Sequence, residues 1–362
     1  MDVPAPTAPG GPLDVEDLRA RVQKALDDFL AVQQPRLDEV SDELAPLLDA
    51  IRDLLRGGKR LRPAFAYWGW RGAGGADCPE IVHAATALEL LQACALIHDD
   101  VMDGSDTRRG IPAAHRRFAT LHRGSSWLGS PEAFGVGSAI LLGDLCLSWS
   151  DELLFASGLP GEAVLRAKPV YDEMRTELMA GQYLDLLEQA VGGGSVERAM
   201  RVVRYKAAKY TIERPLHLGA ALAGAPAGLA ETYTRYGLPL GEAFQLRDDV
   251  LGVFGDPAET GKPAGDDLRE GKRTVLIAAA VDRATPDQAA ELRRHLGDPG
   301  LTPEGVDTLR DVIASTGAVT HIEGLIRDLT EQSLTALESG PVEEPAHAVL
   351  RDLVAAATAR RV

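Results

Sequence analysis

The chain has 362 residues, of which 45% are hydrophobic and 25% charged, the balance of an ordinary globular protein with a large core. A formal net charge of −16 argues against nucleic acid as a partner, since a phosphate backbone needs a basic face. It leaves room for a small anionic substrate, because local cations and bound metal set the field at a site. Cys78, Cys94 and Cys146 show no CxxC spacing, so neither zinc nor a disulfide frame is indicated, and a reducing, cytoplasmic setting is expected.

Residues 1–12, MDVPAPTAPGGP, lack the basic-then-apolar order of a secretory signal and read as a disordered tail. Helical runs then follow one another without a linker, so 13–362 is expected to form one domain, against the two that length alone suggests. Residues 14–56 place Val15, Leu18, Val22, Leu26 and Phe29 at helical spacing. GGKRLRP at 57–63 breaks that pattern and opens a new helix near Pro63. Residues 80–103 are apolar on nearly every face, as in a buried central helix.

Residues 104–136 read as loop with possible short helices. Helices are expected at 137–157, 160–190, 195–223, 227–254 and 273–283, with three more segments in 287–362. Strand alternation is scarce and aromatics are only 5%. The expectation is an all-α protein with no run suited to crossing a bilayer.

Two aspartate-rich stretches carry the chemistry. The first, LIHDDVMDGSDTRRG, ends a buried run, and carboxylates there are costly without metal or cationic partners. Asp99 and Asp103 are four residues apart, so a helix puts both on one side, where Mg²⁺ can bridge to diphosphate oxygens. Arg108 and Arg109 follow, with guanidinium forks suited to phosphate. The second stretch, FQLRDDVLGVFGD, offers Asp248 and Asp249 but has Gly252 where a third acid could stand. Gln182 and Asp185, in GQYLDL, add an amide and an acid.

His98-Asp99 superficially matches a metallohydrolase pair, but lacks further ligands at suitable spacing. His98 is expected to be a hydrogen-bonded residue beneath the metal site. Trp68 and Trp70 are expected in the core.

The ordered set GGKRLRP (57–63), DDVMD with RRG (99–110), GQYLDL (181–186), YKAAKYT (205–211), FQLRDDVLGVFGD (244–256), GKP (261–263) and GKRT (271–274) resembles the trans-isoprenyl diphosphate synthases. The resemblance covers roughly residues 50–285. It implies a single large helical bundle around a central cavity, the isoprenoid synthase fold. It also implies a homodimer that condenses isopentenyl diphosphate with allylic diphosphates (dimethylallyl, geranyl or farnesyl).

About three Mg²⁺ ions are implied per site, with Asp99, Asp103 and Asp185 as ligands of two and Asp248 of a third. Asp100 and Asp249 resemble supporting acids. Arg108, Lys206 and Lys262 resemble the allylic diphosphate clamp, with Gln245 beside them, and Gln182 is expected among the substrate-binding residues. Lys59, Arg62, Gln92 and Arg109 resemble the isopentenyl diphosphate pocket, and Lys272 the cap of the closed site. Two departures from the family's usual pattern are Ala207 after Lys206 and Gly252 at the end of the second motif.

Rival readings are a class I terpene cyclase and a non-catalytic regulatory subunit. A cyclase would need an Asn/Ser/Glu metal triad where DDVLG and GKRT stand, and regulatory subunits tend to lose first-motif acids that are all present here. The product chain is expected to run down the helix that ends in Asp99. A rise of about 1.5 Å per residue puts Ala95 and Cys94 roughly 6–7.5 Å below Asp99, and Leu91 about 12 Å below. Small residues at 94 and 95 leave the passage open and favour a twenty-carbon product, geranylgeranyl diphosphate.

Overall fold

A computed structural model describes residues 11–192, 195–255, 265–298 and 300–358. The expected tail therefore falls almost wholly outside the described residues. The helices are α1 (Leu18–Val40), α2 (Ala45–Leu55), α3 (Leu61–Arg71), α4 (Pro79–Asp103), α5 (Ala114–Gly124), α6 (Pro131–Phe155), α7 (Gly161–Val191) and α8 (Val196–Val202). A π-helix, Val203–Glu213, leads into α9 (Arg214–Ala223) and α10 (Ala227–Phe254). Then come α11 (Asp266–Arg269), α12 (Val275–Arg283), α13 (Pro286–His295), α14 (Pro303–Ser315), α15 (Ala318–Glu338) and α16 (Ala346–Thr358).

Strand structure among the described residues is one hairpin, β1 (Thr107–Arg108) against β2 (Ile111–Pro112). The all-α expectation is met, with local differences. The 104–136 stretch holds the hairpin and α5, α6 begins at Pro131, and among the described residues four helices follow residue 285 rather than three.

Capping chemistry explains the boundaries. Pro79, Pro131, Pro286 and Pro303 each stand at a helix start, where a missing N–H costs nothing. Ser130, Thr285 and Thr302 cap their helices through side-chain oxygens, and Thr285 with Gln288 forms a capping box. Gly104, with φ of 67°, ends α4 directly after Asp103.

The chain divides into two compact units. Among the described residues, the N-terminal unit takes 11–67 and 75–166, and the C-terminal unit takes 68–74 and those from 167 onward. In the first, α4 is the core: Ile81, Leu88, Leu90 and Leu91 are fully buried. Helix α6 packs along it, with Ser150 Oγ donating to Ala87 O at 2.6 Å. Gly143 allows this approach, since a Cβ there would lie 2.1 Å from His98 Nε2. By length and apolarity α4 and α6 match a bilayer crossing, but 72% of the α4 stretch is buried inside the protein. Helix α6 instead leaves Val136, Ile140 and Leu141 exposed.

The C-terminal unit is centred on α10. Tyr236 Oη donates to Leu350 O at 2.7 Å, and Ser333 Oγ to Tyr236 O at 2.9 Å, tying α10 to α16 and α15. Arg247 pairs with Glu323 of α15. The π-helix is wedged between α7 and α10 because both present glycine to it. A Cβ on Gly181 would lie 2.4 Å from Lys206 N, and one on Gly241 would lie 2.6 Å from Ala208 Cα. Trp68 is buried in the core as expected, while Trp70 is half-buried.

Candidate active site

In the N-terminal unit the first aspartate motif occupies the last turn of α4. Backbone carbonyls at a helix C-terminus carry partial negative charge, so carboxylates there are stabilised by cations. Asp100 is buried and salt-bridged to Arg108, whose Nε donates to Asp100 Oδ1 at 2.9 Å. Burial pushes the Asp100 carboxyl up, and Arg108 opposes that shift. Arg108 also lies 3.7 Å from Asp99. Asp99 and Asp103 are half-buried.

The RRG turn is a two-residue hairpin loop. Arg109 and Gly110 have φ of 53° and 76°, the paired left-handed conformation that matches strand twist. This sends Arg108 towards Asp100 and puts Arg109 at the tip. Arg109 is exposed as a residue, but its guanidinium end lies 3.3 Å from where a Gly58 Cβ would be, and 3.4 Å from Leu54 O. Desolvation, together with nearby Arg60, Arg108 and Arg62, lowers its pKa.

The GGKR loop is left-handed as well: Gly57, Gly58 and Arg60 have φ of 72°, 100° and 55°. Lys59 and Arg62 are half-buried. The structure thus brings together Arg109, the 57–60 loop and Glu89 of α4, one helical turn before the half-buried Gln92.

Farther down α4, Leu91 and Cys94 are fully buried, whereas Ala95 is half-buried. The Cys94 thiol lies 3.8 Å from His98 Nδ1, and His98 Nε2 is 3.0 Å from Ile140 O of α6. Cys94 therefore belongs to the α4–α6 seam, and Ala95 is the member of the pair that keeps partial exposure. His98 is hydrogen-bonded as expected.

In the C-terminal unit Lys206 Nζ donates to Asp185 Oδ2 at 2.6 Å, from the π-helix to α7. The π turn also delivers Lys209 to Glu177, and Glu177 is shared with Arg214 of α9. These charged residues, Glu177, Lys209 and Arg214, were missed in the sequence. Nothing in the sequence set Glu177 and Lys209 apart, since α7 and the 203–213 segment carry many other charges.

The second motif lies near the end of α10. Gln245 Nε2 donates to Asp249 Oδ1 at 2.8 Å, and burial pushes the Asp249 carboxyl up to about 7. Asp248 and Gln182 are half-buried. The position vacated at Gly252 is filled: a Cβ there would lie 1.9 Å from Asp267 Oδ2 of α11. Lys272 pairs with Glu270 at 2.9 Å and approaches Asp267 at 3.7 Å. Lys262 lies outside the described residues.

No group of three or more His, Cys, Asp or Glu among the described residues is placed to enclose a metal ion. Mg²⁺ takes hard oxygen ligands, often one or two carboxylates together with water and substrate phosphate. Asp99 and Asp103 on one face, and Asp248 in the other unit, are donors of that kind.

A polyprenyl synthetase family profile matches residues 45–313. A geranylgeranyl pyrophosphate synthase from Corynebacterium glutamicum, solved with isoprenyl diphosphate and magnesium, superposes with a TM-score of 0.92 at 41% identity, covering 100% of both chains. A geranylgeranyl diphosphate synthase of Methanosarcina mazei is 32% identical over 90% of each chain. A geranylfarnesyl diphosphate synthase of Aeropyrum pernix is 31% identical over 87% of this chain and 91% of its own. With its helical fold, both aspartate motifs and these likenesses, the chain belongs to the polyprenyl synthetase family.

Proposed function

We propose that this enzyme condenses isopentenyl diphosphate with an allylic diphosphate to give a trans-polyprenyl diphosphate, with geranylgeranyl diphosphate as main product. The observation that carries the reading is the first motif. Two aspartates share one face at the end of α4, and the third holds an arginine beside them. The magnesium seen in the Corynebacterium relative supports the same metal here. We assign about three ions to Asp99, Asp103, Asp185 and Asp248.

Mg²⁺, when bound, would supply positive charge for the departing pyrophosphate. Arg108, Lys206 and Lys262 hold the allylic diphosphate and stabilise the charge that grows as its C–O bond breaks. Lys59, Arg62, Gln92 and Arg109 hold isopentenyl diphosphate so that its double bond faces the allylic cation. Buried apolar helix faces keep water from that cation. Proton loss then completes the new double bond, with the released pyrophosphate as acceptor.

Residues 13–362 act as one catalytic domain in this reading, in the cytoplasm and as a homodimer. The exposed apolar residues Val136, Ile140 and Leu141 of α6 support a dimer, which sedimentation equilibrium tests directly.

Incubation of the purified protein with Mg²⁺, isopentenyl diphosphate and farnesyl diphosphate tests the function. Chain extension is expected. A cyclised hydrocarbon would establish a terpene cyclase, and no turnover a non-catalytic subunit.

A further inference from the structure

Three of the four residues of the GGKR loop lie at positive φ, and only Gly57 and Gly58 are suited to it. Arg60, at φ 55°, is held in a conformation that L-residues seldom adopt. Such a residue persists only where its surroundings over-determine it. Here they do. Arg60 is 4% exposed and its guanidinium reaches three elements. It is paired with Glu89 of α4, caps the Leu55 carbonyl at the end of α2, and donates to Gln23 Oε1 of α1 at 2.6 Å.

Glu89 is itself 7% exposed, next to the fully buried Leu88, Leu90 and Leu91 in α4. It is also the carboxylate that acts on Arg109, against Arg60, Arg62 and Arg108, which repel it. A buried carboxylate paired with Arg60 and acting on Arg109 serves as their counter-charge. The neighbours of Arg60 in the loop, Lys59 and Arg62, are the cations assigned above to isopentenyl diphosphate.

We infer that Arg60 and Glu89 are the positioning pair of the isopentenyl diphosphate pocket. Arg60 turns inward and locks the 57–60 loop against three helices. Lys59 and Arg62 are thereby presented beside Arg109 in a fixed arrangement. Glu89 holds Arg60 and offsets the repulsion among these cations before substrate arrives. The inference rests on the pocket assignment under the proposed function, and neither residue need touch substrate.

The test uses the full-length enzyme with Mg²⁺ and compares KM for the two substrates. Glu89→Gln and Arg60→Lys should each raise KM for isopentenyl diphosphate about tenfold, the scale of one charged hydrogen bond. KM for the allylic substrate should stay within about twofold, a shift of at most about half a kcal/mol. The double variant Arg60→Met/Glu89→Met removes both buried charges together and should keep the fold. It should still show the raised KM.

A fall in melting temperature with both KM values unchanged, in any of these variants, would make the pair purely structural and overturn the inference. Arg62→Ala separates the two layers. If it raises KM for isopentenyl diphosphate while the pair variants do not, the positioning role fails and the pocket stands. If it leaves that KM unchanged, the pocket assignment fails and takes the positioning role with it.

Discussion

The carboxylate of Asp267 occupies the space in which a side chain at residue 252 would begin, 1.9 Å from a Cβ built on Gly252. The glycine that interrupts the second aspartate motif is thus a seat for an acid from the following helix. That acid is linked to Lys272 twice: its backbone carbonyl accepts the Lys272 N–H at 3.1 Å, and its carboxylate lies 3.7 Å from Nζ.

Gly252→Ala should therefore push Asp267 off α10 and loosen Lys272. The expected result is a fall in kcat of about tenfold, the scale of one charged contact. Gly252→Asp should do no better, since the new acid would compete with Asp267 for one space. A wild-type kcat in Gly252→Ala would show that this seat has no part in turnover.

Asp99→Ala and Asp248→Ala should each lower kcat by several orders of magnitude while leaving helical circular dichroism intact. A contact made chiefly in the transition state lowers kcat in this way when removed. Chelation of divalent metal should abolish activity in the unmodified enzyme. Near-normal rates for either variant in excess Mg²⁺ would remove that aspartate from the metal set.

The two diphosphate sites should separate by mutation. Arg109→Ala or Lys59→Ala is expected chiefly to raise KM for isopentenyl diphosphate, because both belong to the paired left-handed loops of the N-terminal unit. Lys262→Ala should act on the allylic substrate and the ionisation step. Equal effects of all three on both substrates would refute the division.

Product length should respond to Ala95, the half-buried member of the Cys94–Ala95 pair. Ala95→Phe is expected to shift the main product from twenty carbons to fifteen or fewer. Cys94→Phe should instead destabilise the protein, because Cys94 is fully buried and overpacking a seam costs about 1–3 kcal/mol. Chromatography of dephosphorylated products decides the first point. An unchanged twenty-carbon peak from an active Ala95→Phe enzyme would show that the ruler lies elsewhere.

Stability should depend on pH through His217. Burial, with Arg214 beside it, lowers its pKa to about 4. Its Nε2 is 3.1 Å from Ala230 O and 3.0 Å from Thr234 Oγ1. The unfolded chain takes up a proton near pH 6.5 and the folded chain does not until about 4. The stabilisation is therefore complete above pH 6.5 and is lost as pH falls towards 4, by about 3 kcal/mol in all. Denaturant melts of wild type and His217→Asn should differ in slope across that window. Parallel curves would rule out the assignment.

Periodicity was enough to place most helices, because an apolar run at helical spacing has few other ways to bury itself. The same logic exposed Asp99 and Asp103 as one-sided acids. It could not reveal that Arg109 sits in a hairpin turn with Arg108 on the strand before it, because two-residue strands leave no alternation to read. Nor could it find the π turn at 203–213, which arises from α7 and α10 closing on that segment through Gly181 and Gly241.

The sequence by itself determined the all-helical class, the order of the motifs and the residue types the chemistry needs. All of these follow from composition and from spacing along one chain. Only the tertiary structure decided how Asp100, Arg60, Glu89 and Asp267 are used. Each is defined by a partner brought near by folding: Arg108, the Arg60–Glu89 pair itself, and the empty side-chain space at Gly252. A charge in a sequence does not say whether it faces substrate or props up a neighbour, because that depends on which helix packs against it.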